Sequence, residues 1–180
     1  MLFRSPSAFY PSGTSFALVT GCTPDTNTQA LFITRYGSGY SGTQLASYVS
    51  AGGIVVTEWS NSATVWSAVF ATPVSAGANF GDCTDIFPSV AQMNPTDPFW
   101  QSIPFEAPAS TGCGYSVSHF PGIVPLGGWD ATHAALGYRD LGSGRVWAAD
   151  WDWQDNEDYP GKPYTESVLG YLMTHRAFVP

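Results

Sequence analysis

Three clusters of side chains in this sequence have types and spacings that could do chemistry. The first is Glu58-Trp59-Ser60, directly after the β-branched run Ile54-Val55-Val56-Thr57. Residues that follow a central parallel strand point into the crevice where α/β folds bind ligands. Ser60 would act there as a nucleophile only with an imidazole in reach to take its proton and donors facing the oxyanion. The glycines of a G-x-S-x-G elbow are absent around it. The competing reading is that Ser60 caps the next helix. Glu58 reads better as a ligand-binding carboxylate.

The second cluster is the acidic, aromatic run Asp150-Trp151-Asp152-Trp153-Gln154-Asp155. If the preceding strand continues, alternation puts the carboxylates of Asp150 and Asp152 on one side and the two indoles on the other. Carboxylates beside indole faces suit a saccharide or another polar ligand. Asp150, Asp152 and Asp155 together could hold a hard cation such as Ca²⁺ through oxygen, although the EF-hand glycine and distal glutamate are missing. A solvated acidic loop is the plain alternative. The third cluster is His119 and His133, each a candidate base for Ser60 with Asp130 or Asp150. A lone histidine is more often a structural hydrogen-bonding residue. His175 reads as a cation favouring a helix C-terminus.

The elements that must position these groups follow from apolar spacing. Ser15–Thr20 and Ala30–Thr34 read as short buried strands, and residues 1–14 as an irregular lead-in. Thr43–Ala51 has Leu45, Tyr48 and Val49 at helical spacing, with Ser41 or Thr43 as cap, and Gly52-Gly53 stops it. Ile54–Thr57 then reads as a central strand covered on both faces. Ser60–Phe70 is again helical in spacing. Thr72–Gly122 is rich in Pro and Gly and shows little periodicity. Ala134–Tyr138 and Arg145–Ala149 read as strands around a Gly-Ser-Gly turn. Thr165–His175 reads as a closing helix, with Thr165 as cap and Val168, Leu169 and Leu172 as its apolar stripe. If the strands ending at Thr57 and Ala149 are parallel, Glu58 and Trp59 converge with Asp150–Asp152 at one sheet edge, an acidic grouping that needs a ligand, a metal or Arg145 to offset it. Trp66 and Trp147 fit core positions. Trp59, Trp129, Trp151 and Trp153 fit a pocket mouth.

Three stretches in this order resemble the glutamine amidotransferase-like superfamily, especially its trehalose-utilisation-protein-like branch. They are Gln44–Thr57 (QLASYVSAGGIVVT), Asn94–Phe99 (NPTDPF) and Ala135–Trp151 (ALGYRDLGSGRVWAADW) followed by the terminal helix. The resemblance implies an α/β fold, a flavodoxin-like three-layer sandwich with a mostly parallel sheet, as one domain over residues 1–180. The N-terminus is abbreviated, because too few residues separate the first two strands for a crossover helix. Catalytic members carry a Cys nucleophile at the sharp turn after the Gly-Gly strand. That turn is Glu58-Trp59-Ser60 here and holds no cysteine.

Composition narrows the function further. The chain has 180 residues, of which 44% are hydrophobic and only 11% charged, with a net charge of -8. Six scattered basic residues argue against nucleic acid and anionic membrane as partners. No apolar run reaches the length of a membrane span, and residues 1–10 show no signal peptide. Polar, charge-poor surfaces suit extracellular or particle-associated proteins. Cys22, Cys83 and Cys113 are too widely spaced for a zinc site. Cys83 with Cys113 is the expected pair if a disulfide forms, and three free thiols is the alternative. The expectation is a non-catalytic binding or structural domain that recognises a saccharide, another polar ligand or partner chains. A small hydrolase using Ser60 or Glu58 with a histidine base is the rival, and a scaffold left from a larger enzyme is a third reading.

Overall fold

The computed structural model describes residues 23–75, 91–103, 116–128, 131–149 and 162–177. Strand β1 (Ala30–Ile33) pairs in parallel with β2 (Ile54–Thr57), and β2 pairs in parallel with β6 (Gly144–Ala149). Every residue of β2 is buried, as a β-branched run between two parallel neighbours requires. Between β1 and β2 runs helix α1 (Gly42–Ser50). The Ser41 hydroxyl accepts from the Gln44 N–H at 3.4 Å to cap its start. At its end the Gly53 N–H donates to the Tyr48 carbonyl and the Gly52 N–H to the Val49 carbonyl, both at 2.9 Å, with Gly52 at φ 106°. This pattern is a Schellman motif, which needs a left-handed residue just beyond the helix.

Helix α2 (Asn61–Phe70) follows β2. Farther along, Asp97 caps helix α3 (Pro98–Ser102) by accepting from the Phe99 N–H at 2.9 Å. Its second oxygen accepts from the Tyr138 hydroxyl at 2.8 Å. Strands β3 (Ala91–Gln92), β4 (Val124–Gly128) and β5 (Ala134–Leu141) complete one six-stranded sheet in the order β1-β2-β6-β5-β4-β3. The pairings β3–β4, β4–β5 and β5–β6 are antiparallel.

The chain is therefore α/β, but parallel only along one edge of the sheet, where a mostly parallel sheet was expected. The reason is local. Gly142 and Ser143 close a tight hairpin between β5 and β6, with Gly142 at φ 60°, and antiparallel strands need no crossover helix. The hairpin tip docks on the end of α1. The Ser143 N–H donates to the Ser50 carbonyl at 3.1 Å and the Arg145 N–H to the Gly53 carbonyl at 3.2 Å. The first satisfies a carbonyl that the end of α1 leaves open, and the second continues the β2–β6 pairing. A Cβ at Gly144 would run into the Val49 and Gly53 carbonyl oxygens.

Helices cover both faces of the sheet. On one face, Leu45 and Val49 of α1 and Val65, Trp66 and Val69 of α2 pack on Val55, Val146 and Ala148. On the other, Phe99 and Trp100 of α3 and Val168, Leu169 and Leu172 of α4 (Lys162–Thr174) pack on Ile54, Val56 and Trp147. Trp66 and Trp147 are fully buried, as their core reading required. Truncating either to Ala costs about 3–5 kcal/mol by general experience. Helix α4 starts at Lys162, so Thr165 lies inside its first turns and is not the cap. Among the described residues no helix is long and apolar enough to cross a membrane. The expected strand Ser15–Thr20 and all three cysteines lie outside the described residues.

Candidate ligand site at the carboxyl edge of the sheet

Because β2 and β6 are parallel, with Val56 opposite Trp147, their carboxyl ends leave the sheet on the same edge. Strand β5 runs the other way and begins on that edge at Ala134, opposite the end of β6. The edge thus gathers Glu58-Trp59-Ser60, Ala149 and the approach to β5. Asp150, Trp151, Asp152 and Asp155, like Trp129, Asp130 and Trp153, lie outside the described residues. Arg145 does not serve this edge. It sits near the opposite end of β6, where its Nε and Nη2 meet the Asp140 carboxylate at 2.6 and 3.0 Å, with its guanidinium 3.7 Å from the Tyr138 ring centre. It is the cross-strand partner of Asp140, and its charge is paired there.

The turn after β2 is held by polar side chains. Thr57 Oγ1 donates to the Trp147 carbonyl at 2.9 Å, Ser62 Oγ donates to the Ala149 carbonyl at 2.9 Å, and the two hydroxyls are 2.7 Å apart. Each hydroxyl has one proton, so two of these three contacts are filled at a time. Together they bind the first turn of α2 to the end of β6. Asn61 does the same for the loop after β1. Its Nδ2 donates to the Thr34 and Gly37 carbonyls at 2.7 and 3.1 Å, and its Oδ1 accepts from the Tyr40 hydroxyl at 3.2 Å.

Glu58 has no exposed surface, and its Oε2 accepts from the Arg35 backbone N–H at 2.8 Å. Trp59, partly buried, has φ 49°. A left-handed backbone costs a residue with a Cβ about 1–2 kcal/mol. Ser60 follows with ordinary helical angles, φ -61° and ψ -23°. It stands where the cap was expected, yet its hydroxyl makes no capping hydrogen bond. The Arg35 guanidinium lies 5.1 Å from the Tyr36 ring centre and 5.2 Å from the Trp59 ring centre. Both are cation–π distances. Tyr36 is 59% exposed, the one large hydrophobic side chain exposed among the described residues.

The histidines engage other groups. His119 Nε2 lies 2.8 Å from the Ser75 carbonyl oxygen, and its ring meets Phe120 edge-on. His133 Nδ1 lies 3.0 Å from Thr132 Oγ1. It precedes β5, two strand spacings from β2, or about 10 Å. His175 Nδ1 lies 2.9 Å from the Tyr171 carbonyl oxygen at the end of α4, and its ring stacks on Tyr171 at 3.6 Å. Among the described residues no three His, Cys, Asp or Glu side chains are grouped to hold a metal ion, and the Asp150, Asp152 and Asp155 set lies outside them. Arg35, Tyr36 and Asn61 are the site residues that sequence reasoning missed. Asn61 looked like any polar residue at a helix start, and the Arg-Tyr pair carried no motif.

No family model and no curated protein matches the chain. A solved structure, that of a β-galactosidase from Rahnella sp. R3, is similar with a TM-score of 0.37 and 12% identity, over 77% of this chain and 20% of that one. This chain spans about a fifth of that protein's length, and a likeness of this degree carries no argument about function or about the amidotransferase-like resemblance.

Proposed function

We propose that this chain is a non-catalytic binding domain on an amidotransferase-like variant of the α/β fold, working outside the cell or on a particle. It recognises a polar ligand at the carboxyl edge of the sheet. The observation that carries this reading is the occupant of the strained turn. A nucleophile elbow holds its reactive residue at the sharp strand-to-helix turn so that the side chain stands exposed. Here the left-handed residue is Trp59, and an indole has no nucleophilic atom for acyl transfer. The next residue, Ser60, is already helical. Glu58, the other candidate, is wholly buried and accepts from the Arg35 backbone, which suits holding a loop better than attacking a substrate.

The test is turnover of chromogenic esters and glycosides by the wild type, Ser60→Ala and Glu58→Gln. The expected result is hydrolysis no faster than with heat-inactivated protein. Turnover that disappears in Ser60→Ala or Glu58→Gln establishes the hydrolase reading instead.

A further inference from the structure

We propose that Tyr36 and Trp59, bridged by the Arg35 guanidinium, form a stacking platform for a ring of a neutral saccharide. The proposal rests on the reading of the domain as a binder and names its ligand class. Sugar rings present C–H faces that lie on aromatic side chains and hydroxyl rims that seek donors and acceptors. Tyr36 offers an exposed ring. Arg35 lies within 5.2 Å of both ring centres, which keeps the two rings within the span of one or two sugar units.

One further observation favours an uncharged ligand. The chain as a whole has net charge -8, which repels an anionic sugar over longer range. The platform is also held in place before any ligand arrives. Asn61 bonds the carbonyls of Thr34 and Gly37, on either side of Arg35 and Tyr36, and the Trp59 turn is fixed by the Thr57 and Ser62 hydroxyls. Preorganisation of this kind reduces the ordering cost of binding. Trp59 keeps a bulky side chain at a left-handed position, where strain of this kind tends to mark binding sites.

The experiment is isothermal titration of the full chain with cellohexaose, maltohexaose, a galactan hexasaccharide and trigalacturonic acid, using the wild type, Tyr36→Ala, Tyr36→Phe and Trp59→Phe. Circular dichroism and melting temperature control for folding, and the exposure of Tyr36 makes its truncation safe for the core. The expected result is binding of at least one neutral oligosaccharide, weakened about tenfold in Tyr36→Ala and by about twofold or less in the two Phe variants. Three results overturn the proposal: no oligosaccharide binds, a neutral one binds unchanged to Tyr36→Ala, or trigalacturonic acid binds more tightly than every neutral sugar. If another polar compound binds while the sugars do not, the binder reading stands and the saccharide class falls. Hydrolysis of the chromogenic substrates removes the binder reading itself.

Discussion

Strand β2 is entered and left by two turns that solve the same backbone problem with opposite residues. The chain enters through Gly52, at φ 106°, and Gly53, and leaves through Trp59, at φ 49°. At the entry the turn is closed by backbone hydrogen bonds. The Schellman bonds close α1, the β5–β6 hairpin docks its N–H groups on the Ser50 and Gly53 carbonyls, and there is no room for a side chain at Gly144. At the exit a large side chain is kept although a glycine would fit the angle better. Among the described residues two others with a Cβ have positive φ, Ala71 at 50° and Asn94 at 51°. Asn is tolerant of that region, and Ala71 ends α2 with only a methyl group. Of these three, only Trp59 combines the strain with a bulky ring at the carboxyl edge of the sheet. The difference separates a turn closed by backbone packing from a turn that keeps a large, partly buried side chain.

The largest expected effect breaks the entry turn. Gly144→Ala pushes a methyl group into the Val49 and Gly53 carbonyl oxygens, two backbone atoms fixed by the helix end and the sheet. The expected loss is about 3 kcal/mol or more, read from urea denaturation. A change below about 0.5 kcal/mol, the range of neutral surface substitutions, means that the hairpin tip is not packed as described.

A smaller effect separates the turns by pH. Tyr48 lies at the entry, with its hydroxyl donating to the Ile54 carbonyl at 3.4 Å and its ring over Gly53. Burial pushes its pKa up to about 12, against about 10 in an unfolded chain. The folded state therefore binds this proton more tightly. That stabilisation is complete below pH 10 and is lost as pH rises from 10 to 12. Nothing in the Trp59 side chain titrates there. The urea midpoint of the wild type should fall more steeply over this range than that of Tyr48→Phe. Tyr138 and Tyr171, whose pKa values burial also raises, contribute equally to both proteins. Parallel curves for the two proteins contradict the packing of Tyr48.

Much of the parallel half of the sheet was legible in the sequence, for physical reasons. A β-branched run after paired glycines leaves few alternatives to a buried strand, and Ile54–Thr57 is one. The Gly-Ser-Gly turn announced the hairpin of β5 and β6. Strand β4 was hidden because Pro125, Gly127 and Gly128 interrupt any alternation, and the pairing itself shifts register between those residues. Such residues mark bulges inside strands. The start of α4 was misplaced because Thr165 has the chemistry of a cap, while the helix begins at Lys162. At the site, Glu58 and Trp59 were legible by position alone, as residues following a central strand. The burial of Glu58 was not, because it depends on the Arg35 backbone arriving from a loop more than twenty residues earlier in sequence. The same distance hid the Arg35–Trp59 contact, between two segments tied by Glu58 and Asn61.

The exit turn itself gives the most direct test. Trp59→Ala and Trp59→Gly remove the same indole and differ only in whether a Cβ must occupy the left-handed backbone. If Trp59 is held under strain, Trp59→Gly will be more stable than Trp59→Ala by about 1 kcal/mol, measured by chemical denaturation of both variants side by side. Equal stabilities, or a more stable Trp59→Ala, would show that the turn after β2 relaxes to an ordinary backbone and would contradict the account of a strained residue kept for its side chain.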